Sequence, residues 1–206
     1  NNKGLLGQVG IKILTDEKQG GQTDFDPEDD KFTTNRYGFE INTKRYEAWG
    51  KIGYQFASKP YKSVGLQLSG VKHEHESYYG LNLHDGEEKS FYANLIYQSI
   101  IGNTSHKFKS GLSFLYDDYT EVLSVDQGML FEYGGTTIST FMEQFDRKEI
   151  VPGAFFEYSY DDLKKFSAIA GVRVDEHNLF GTIFTPRLHL KYNLTNTTTL
   201  RASAGK

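Results

Sequence analysis

Alternation of apolar and polar residues runs through most of the chain, and no other feature constrains its fold as strongly. In residues 166–174 the even positions are apolar, whereas the odd positions include Ser167 and Arg173. Residues 182–192 and 199–204 alternate in the same way. Successive side chains of a β-strand point to opposite sides of a sheet. Each segment is therefore predicted to be a strand with one apolar and one polar face.

Nine such strands are predicted, and the breaks between them differ in length. The other six are expected at residues 5–15, 36–56, 63–76, 90–101, 107–118 and 149–160. Short breaks fall near residues 57–60, 101–105, 160–165 and 193–198, longer ones near 16–35, 77–88 and 119–148, and a modest one at 176–181. An antiparallel up-and-down meander then has all its short turns at one end. Outer-membrane barrels have this asymmetry, so we predict an all-β meander of about nine strands that is part of a transmembrane outer-membrane β-barrel.

Composition agrees with this prediction and argues against several other classes. The chain has 206 residues, of which 14 are Tyr, 15 Phe and 21 Gly, and this suits strands better than helices. There is no run of about 18 apolar residues, so no transmembrane helix is predicted, whereas about ten tilted residues suffice for a membrane-crossing strand. A net charge of −4 without a basic cluster gives no support for nucleic-acid binding. Without cysteine, neither disulfides nor thiolate metal sites can form.

Aromatic residues and prolines lead to two further predictions about the strands. Proline cannot donate to a strand ladder, so we expect a bulge or ladder gap at Pro186 and expect Pro152 near the start of its strand. Eight aromatic residues lie within a few positions of a short turn, which predicts an aromatic girdle at one membrane interface. They are Tyr54, Phe56, Tyr61, Tyr97, Phe108, Tyr158, Phe166 and Tyr192.

His73 and His75 are the candidate ligand-binding residues. Their spacing puts both imidazoles on the polar face near the loop end of a strand, with Glu74 and Glu76 on the other face. Two imidazoles on one face can contact a metal or a metal chelate. The alternative is a solvated strand end, because no third ligand is evident; no resident metal site and no cofactor are predicted. The acidic residues 24–30 depart from the EF-hand pattern and are expected to form a solvated loop.

An ordered series of motifs resembles a known family. The series is a Gly-x-Arg-x-Asp strand, a Thr-Pro-Arg strand, a polar turn and a last strand, at Gly171, Arg173, Asp175, then Thr185, Pro186, Arg187, then Thr199, Arg201, Ser203, Gly205. It is similar to the barrel region of TonB-dependent outer-membrane receptors. Upstream segments, among them KSVGLQLSG and HKFKSGLSFLYDDY, resemble strands of the same receptors.

The resemblance implies nutrient uptake at the cell outer membrane. Such receptors bind a scarce small molecule or metal chelate, such as a ferric siderophore, haem or cobalamin, and import it through a barrel of about 22 strands blocked by a plug. The TonB complex supplies the energy. The expected partners are thus outer-membrane lipid, the receptor's own plug domain and the TonB complex. The resemblance also implies that the polar residues of the matching strands face the lumen or the plug: Arg173, Asp175, Arg187, His189 and Arg201.

Residues 1–206 contain no recognisable plug, TonB box or final aromatic strand, so they are expected to be an internal, partial barrel of such a receptor. No GxSxG, HExxH or P-loop pattern occurs, and the chain is not expected to be an enzyme. Two alternatives remain. One is an outer-membrane β-barrel adhesin or enzyme with ligand-binding loops. The other is a soluble β-meander, in which residues such as Leu68, Leu95 and Leu112 would pack inside a closed two-sheet core.

Overall fold

The structure is a computed structural model that describes residues 4–126 and 140–206. Nine strands form one antiparallel sheet in which each strand pairs with its neighbours in the sequence. They are β1 (Leu5–Gly21), β2 (Gly38–Gln55), β3 (Ser63–Tyr79), β4 (Asn82–Ile101), β5 (Asn103–Asp126), β6 (Thr140–Asp161), β7 (Phe166–His177), β8 (Gly181–Asn193) and β9 (Thr199–Gly205). The predicted all-β up-and-down meander is confirmed. None of the described residues belongs to a helix long and apolar enough to cross a membrane.

The pairing registers sort the side chains into two faces. Residues paired across an antiparallel ladder lie on the same face of the sheet. One row across β3 to β7 is apolar throughout: Leu66, Leu95, Leu112, Ala154 and Val174. The next row contains Gln67, Asn94, Ser113, Gly153 and Asp175. We call these surfaces the apolar face and the polar face.

The sheet has almost no core of its own. Among the residues described, Tyr78 is the only buried apolar residue, and the accessible surface is 14537 Å². A compact monomer of this mass would expose about 9,700 Å². On the apolar face Val9 is 84% exposed and Leu112 59% exposed. The soluble two-sheet alternative is therefore wrong, because its core residues lie open on one side of a single sheet.

The strands at one end of the sheet are longer than predicted. β3 and β4 continue through residues 77–88, where a long loop was expected, and Tyr79 pairs with Asn82 across a two-residue turn. Gly80 opens this turn with a φ of +61°, a conformation that glycine adopts without steric cost. β1 and β5 also extend beyond their predicted ends. The predicted loop at 119–148 is shortened from both sides, and its residues 127–139 lie outside the described part of the chain.

This difference has a physical reason. Beyond the apolar stretch, β3 reads Lys72-His73-Glu74-His75-Glu76, with polar residues on both faces. Alternation vanishes there although the backbone ladder continues. Where both faces of a strand are exposed to water, both carry polar residues, and the alternation that identifies strands in a sequence is lost.

The structure shows no bulge at Pro186 and places Pro152 in the middle of its strand. The pairing of β7 with β8 passes Pro186 without a change of register, so the predicted bulge is absent. The Pro186 carbonyl accepts from the Lys206 N–H, so the proline nitrogen is directed to the β9 side, where pairing begins only at Arg187. Pro152 lies inside β6 rather than near its start. The β6–β7 ladder, however, begins only at Gly153, so the missing N–H coincides with the end of that ladder.

Two other predicted features are clarified by the structure. Several of the predicted girdle aromatics contact one another near the short turns, with ring centroids 5.2 Å apart for Tyr54 and Phe56 and 5.8 Å apart for Tyr97 and Phe108. The acidic segment is not fully solvated. Asp30 is buried and accepts a hydrogen bond from the Asp26 N–H at 3.0 Å, so this carboxylate helps to hold its own loop.

Candidate functional site

The polar face carries all the candidate ligand-binding and lumen-facing residues that the sequence predicted. His73 and His75 lie in β3, Arg173 and Asp175 in β7, and the remaining three in β8 and β9, namely Arg187, His189 and Arg201. The registers place each of them on the face opposite to the apolar rows. Because the sheet is wide, these residues form separate clusters rather than one site.

The first cluster is centred on Arg173. Its guanidinium makes a two-pronged contact with Asp175, with Nε 2.6 Å from Oδ2 and Nη2 2.7 Å from Oδ1. Nη2 also donates to Ser113 Oγ at 2.8 Å, from β7 to β5. Charge-assisted, bidentate bonds of this kind are stronger than neutral ones. The pair thus joins three strands, because Gly153 of the intervening β6 leaves room for it.

Gly153 is required by this geometry. A Cβ at this position would lie 2.0 Å from Asp175 Oδ1 and 2.8 Å from Ser113 Oγ. Real Cβ atoms do not approach other atoms so closely, and any larger residue would displace the carboxylate. Sequence reasoning grouped Arg173 with Asp175 but missed Ser113 and Gly153, whose contact with them depends on the register of three strands.

A second cluster lies toward the short turns. Glu157 of β6 forms an ion pair with Arg187 of β8, and the Lys109 ammonium lies 3.7 Å from its other carboxylate oxygen. His189 and Arg201 line a shallow groove nearby with Ser203. Within the described residues His189 and Arg201 form no ion pair, so their side chains are available for contacts outside the sheet.

The third cluster, the histidine cluster, lies at the opposite end of the polar face and consists of Thr43, His75, Ser77, His84 and Glu121. The rings of His75 and His84 are 5.3 Å apart. His75 Nε2 is 3.1 Å from Ser77 Oγ, and His84 Nε2 is 2.7 Å from Glu121 Oε1. Burial lowers the pKa of His75, and the electrostatic interactions of its ring with His84 and His73 lower it further. The cluster therefore presents His75 as a neutral imidazole.

His73 stands apart from this cluster. Its Nδ1 is buried and has no hydrogen-bond partner among the described residues, whereas the ring of His75, its predicted companion, contacts that of His84. His84 was missed because residues 77–88 were interpreted as a loop, whereas the tight turn at Gly80 folds β4 back onto β3. The part of the chain that the structure describes contains no group of three or more His, Cys, Asp or Glu residues able to hold a metal ion.

Comparison with known proteins identifies the family. The family model for the TonB-dependent receptor-like β-barrel matches residues 5–206. The chain belongs to this family. No curated protein shows significant sequence similarity to it.

Solved structures show the same barrel fold. The alcaligin outer-membrane receptor FauA from Bordetella pertussis matches 97% of the chain with a TM-score of 0.65 at 11% identity. The ferric citrate transporter FecA matches 97% with a TM-score of 0.60 at 14% identity, and FpvA from P. aeruginosa, in complex with heterologous pyoverdines, matches 97% with a TM-score of 0.59 at 12% identity. The chain covers only 32%, 33% and 38% of these three proteins, about a third of their length.

Membership of the TonB-dependent receptor family explains the open sheet. Members of the family are outer-membrane proteins, and FauA is described as an outer-membrane receptor. An outer-membrane location gives the apolar face the apolar surroundings that it lacks in the chain itself. A bilayer core of about 30 Å is crossed by about ten tilted strand residues. β2 to β6 have 17 to 24 residues each, so these receptor strands are long enough to project beyond the membrane. The family consists of receptors and transporters rather than enzymes.

Proposed function

We propose that the chain is part of the barrel wall of a receptor that binds a scarce nutrient outside the cell and imports it with energy from the TonB complex. The polar face is the observation that carries this proposal. Its charged side chains form ion pairs and hydrogen bonds with side chains of other strands instead of remaining separate at the surface. Such a wall suits the water-filled or plugged interior of a barrel.

The charged clusters are proposed to brace the wall and contact the plug. Arg173 and Asp175 are held by each other and by Ser113, which suits a rigid wall position. Arg187 is tied to Glu157. His189 and Arg201 carry no such partner among the described residues, so these two are the ones we assign to contacts with a plug domain.

The histidine cluster is proposed to contact the imported molecule. It lies at the end of the sheet where β3 and β4 project, and the neutral imidazole of His75 can donate or accept hydrogen bonds there. The buried Nδ1 of His73 lies beside this region and has no hydrogen-bond partner among the described residues, so it has capacity for a further bond. FauA, FecA and FpvA are described with alcaligin, ferric citrate and pyoverdine, which supports a metal chelate as the ligand class; haem and cobalamin belong to the same proposal.

This proposal requires the turn at Gly80 to be extracellular. The chain has no cysteine, so single cysteines report orientation without background. In the complete receptor on intact cells, a membrane-impermeant maleimide should label Leu81→Cys and leave Thr197→Cys, in the turn between β8 and β9, unlabelled. Labelling of Thr197→Cys but not of Leu81→Cys would show that the turn at Gly80 is not extracellular, and it would contradict the proposed ligand site.

Uptake tests the ligand site itself. Cells that depend on the complete receptor are supplied with labelled ferric citrate, haem or cobalamin as separate probes. With whichever probe the wild type imports, His75→Gln combined with His84→Gln should raise the half-saturating concentration roughly tenfold, because about one good hydrogen bond to the ligand is lost. His106→Gln, on the apolar face, is the matched control. Equal uptake curves for all three proteins would contradict the assignment.

A further inference from the structure

A small cavity lies on the same side of the sheet as the apolar face, where β2, β3 and β4 project beyond the apolar rows. Its volume is about 150 Å³. The strands contribute five side chains to its walls: Glu40, Asn42, Glu76, Tyr78 and Asp85. Lys31 and Phe32, from the connection between β1 and β2, close one side of it. The ring of Phe32 lies 5.2 Å from that of Tyr78, so this connection is held against the strands.

Two acids of the cavity lie directly opposite each other. Glu76 of β3 pairs with Asp85 of β4, and neither carboxylate forms an ion pair with any of the described residues. Like charges that face each other on adjacent strands destabilise a sheet. A positive charge bound between Glu76 and Asp85 would remove this repulsion.

The nearby lysines do not supply this positive charge. The Lys31 ammonium lies 3.5 Å from Glu40 Oε2 and offsets the charge of that acid. The other lysines on this part of the face lie against or opposite Glu74 and Glu87, in the next row toward the apolar residues: Lys44, Lys72 and Lys89. The cavity therefore keeps the two negative charges of Glu76 and Asp85.

The Asn42 amide and the Tyr78 hydroxyl add oxygen atoms to the cavity. Asn42 Nδ2 donates to Glu40 Oε1 at 2.7 Å, which leaves the amide oxygen of Asn42 able to coordinate a cation. Tyr78 is only 3% exposed, and its buried hydroxyl has no hydrogen-bond partner among the described residues. A buried hydroxyl without a partner is unfavourable, so a group bound in the cavity is expected to supply one.

From these observations we infer that the cavity binds Ca²⁺ between Glu76, Asp85 and the amide oxygen of Asn42. All three ligands are oxygen atoms, which hard divalent cations prefer, and the two carboxylates match the charge of one such cation. Ca²⁺ takes about six to eight oxygen ligands, so water completes its shell, and one such water meets the Tyr78 hydroxyl. Because only two carboxylates are used, the site is compatible with the absence of any metal-binding group of three or more His, Cys, Asp or Glu among the described residues.

Bound Ca²⁺ would also support the opposite face of the sheet. Glu76 and Asp85 directly follow His75 and His84 in the sequence, so their side chains lie on the other side of the same strands. A cation shared by β2, β3 and β4 holds these strand ends together behind the histidine cluster. Ca²⁺ binding itself depends neither on the orientation of the receptor nor on the nutrient that is imported.

Calorimetric titration with Ca²⁺ tests the inference, with the complete receptor in detergent after removal of metal by a chelator. The wild type should bind one Ca²⁺ with a Kd of about 0.1–1 mM, the range of extracellular calcium modules, that Glu76→Gln combined with Asp85→Asn does not bind. Tyr78→Phe should weaken this binding about fivefold, because one hydrogen bond is lost. The measured quantity is the difference between variants, so cations held elsewhere in the receptor do not affect it.

The matched control combines Glu74→Gln with Glu87→Gln. These two acids are also directly opposite each other on the same face, but they lie against Lys72 and Lys89, so their removal should leave Ca²⁺ binding as in the wild type. Urea unfolding without Ca²⁺ checks the fold. Under that condition the Glu76→Gln, Asp85→Asn variant should unfold no earlier than the wild type, because it removes two opposed like charges.

Several results would overturn the inference. The same number of Ca²⁺ ions in the wild type and the Glu76→Gln, Asp85→Asn variant, or the same loss in the control, would remove the assignment to these two acids. Equal affinity of Tyr78→Phe and the wild type would place the bound Ca²⁺ outside the cavity. Equally tight binding of Mg²⁺ would indicate a general attraction of divalent cations instead of a site. Failed uptake with intact Ca²⁺ binding would remove the proposed ligand site and leave this inference standing.

Discussion

The two faces of the sheet use charge in different ways. On the polar face, charged residues occur along the whole length of the strands, and Arg173 reaches Ser113 across an intervening strand. On the apolar face, the central rows of β2 to β6 have no charge, and the ion pairs between described strand residues join Lys72, Lys89 and Lys148 to acids beyond those rows. Each strand contributes to both faces with alternate residues, so both arrangements come from the same stretches of sequence.

This difference shows how strongly the register is specified. A slip of one residue between two strands would move Asp175 into the lipid-facing surface and an apolar neighbour into the polar one, because the side-chain period is two. Such a slip would therefore be unfavourable in free energy on both faces at once. The receptor wall therefore needs no core of its own to fix its pairing. Lipid on one side and charge pairs on the other define a single register.

A charge placed on the apolar face should give the largest effect. Leu95 lies in the middle of the apolar rows and pairs with Leu112. Leu95→Arg in the complete receptor, unfolded by urea in lipid vesicles, should lose about 2–4 kcal/mol of unfolding free energy, because a cation would lie near the bilayer midplane. Gln67→Arg, one row away on the polar face, should change it by less than about 0.5 kcal/mol. Similar losses for both would mean that the faces are not distinct.

A methyl group at Gly153 should give the next largest effect. Gly153→Ala puts a Cβ where Asp175 Oδ1 lies, 2.0 Å away, and should destabilise the receptor by about 1–3 kcal/mol through overpacking and the lost bond to Arg173. Gly65→Ala is the matched control on the polar face, because its Cβ would meet nothing closer than 3.8 Å. The same urea titration applies. Equal stability of both variants would contradict the tight packing around Arg173.

Sequence reasoning predicted the faces better than the clusters. Alternation alone identified all nine strands, because one side of each membrane-crossing stretch is apolar. It could not reveal that β3 and β4 continue to Gly80, since both of their faces become polar there. It grouped Arg173 with Asp175, which are neighbours on one strand, but not with Ser113, 60 residues earlier. Contacts of that kind follow from the register of several strands, which no local pattern encodes.

The smallest expected effect concerns pH at the projecting end of the polar face. His75 lies beyond the apolar stretch of β3, outside the membrane-crossing part, and is faced by Thr43, His73 and His84. Asp85 is close by on the opposite face of the sheet. Burial, aided by His84 and His73, lowers its pKa from the ordinary value of 6.5, while Asp85 opposes this shift. The unfolded chain then binds the proton more readily than the folded one. Stability is therefore retained above about pH 6.5 and is lost as the pH falls through the lower, folded pKa.

Hydrogen exchange at the amides of residues 77–84 measures this effect where it acts, after correction for the intrinsic pH dependence of exchange. Protection in the complete receptor should be constant above pH 6.5 and should decline below it. His75→Gln should abolish the decline, because glutamine does not titrate, whereas His106→Gln on the apolar face should preserve it. A decline that survives in His75→Gln would assign the proton to another group. Protection that rises with acid would mean that the cluster favours a charged imidazole, and the polar face would then attract anions at this end instead of presenting neutral donors.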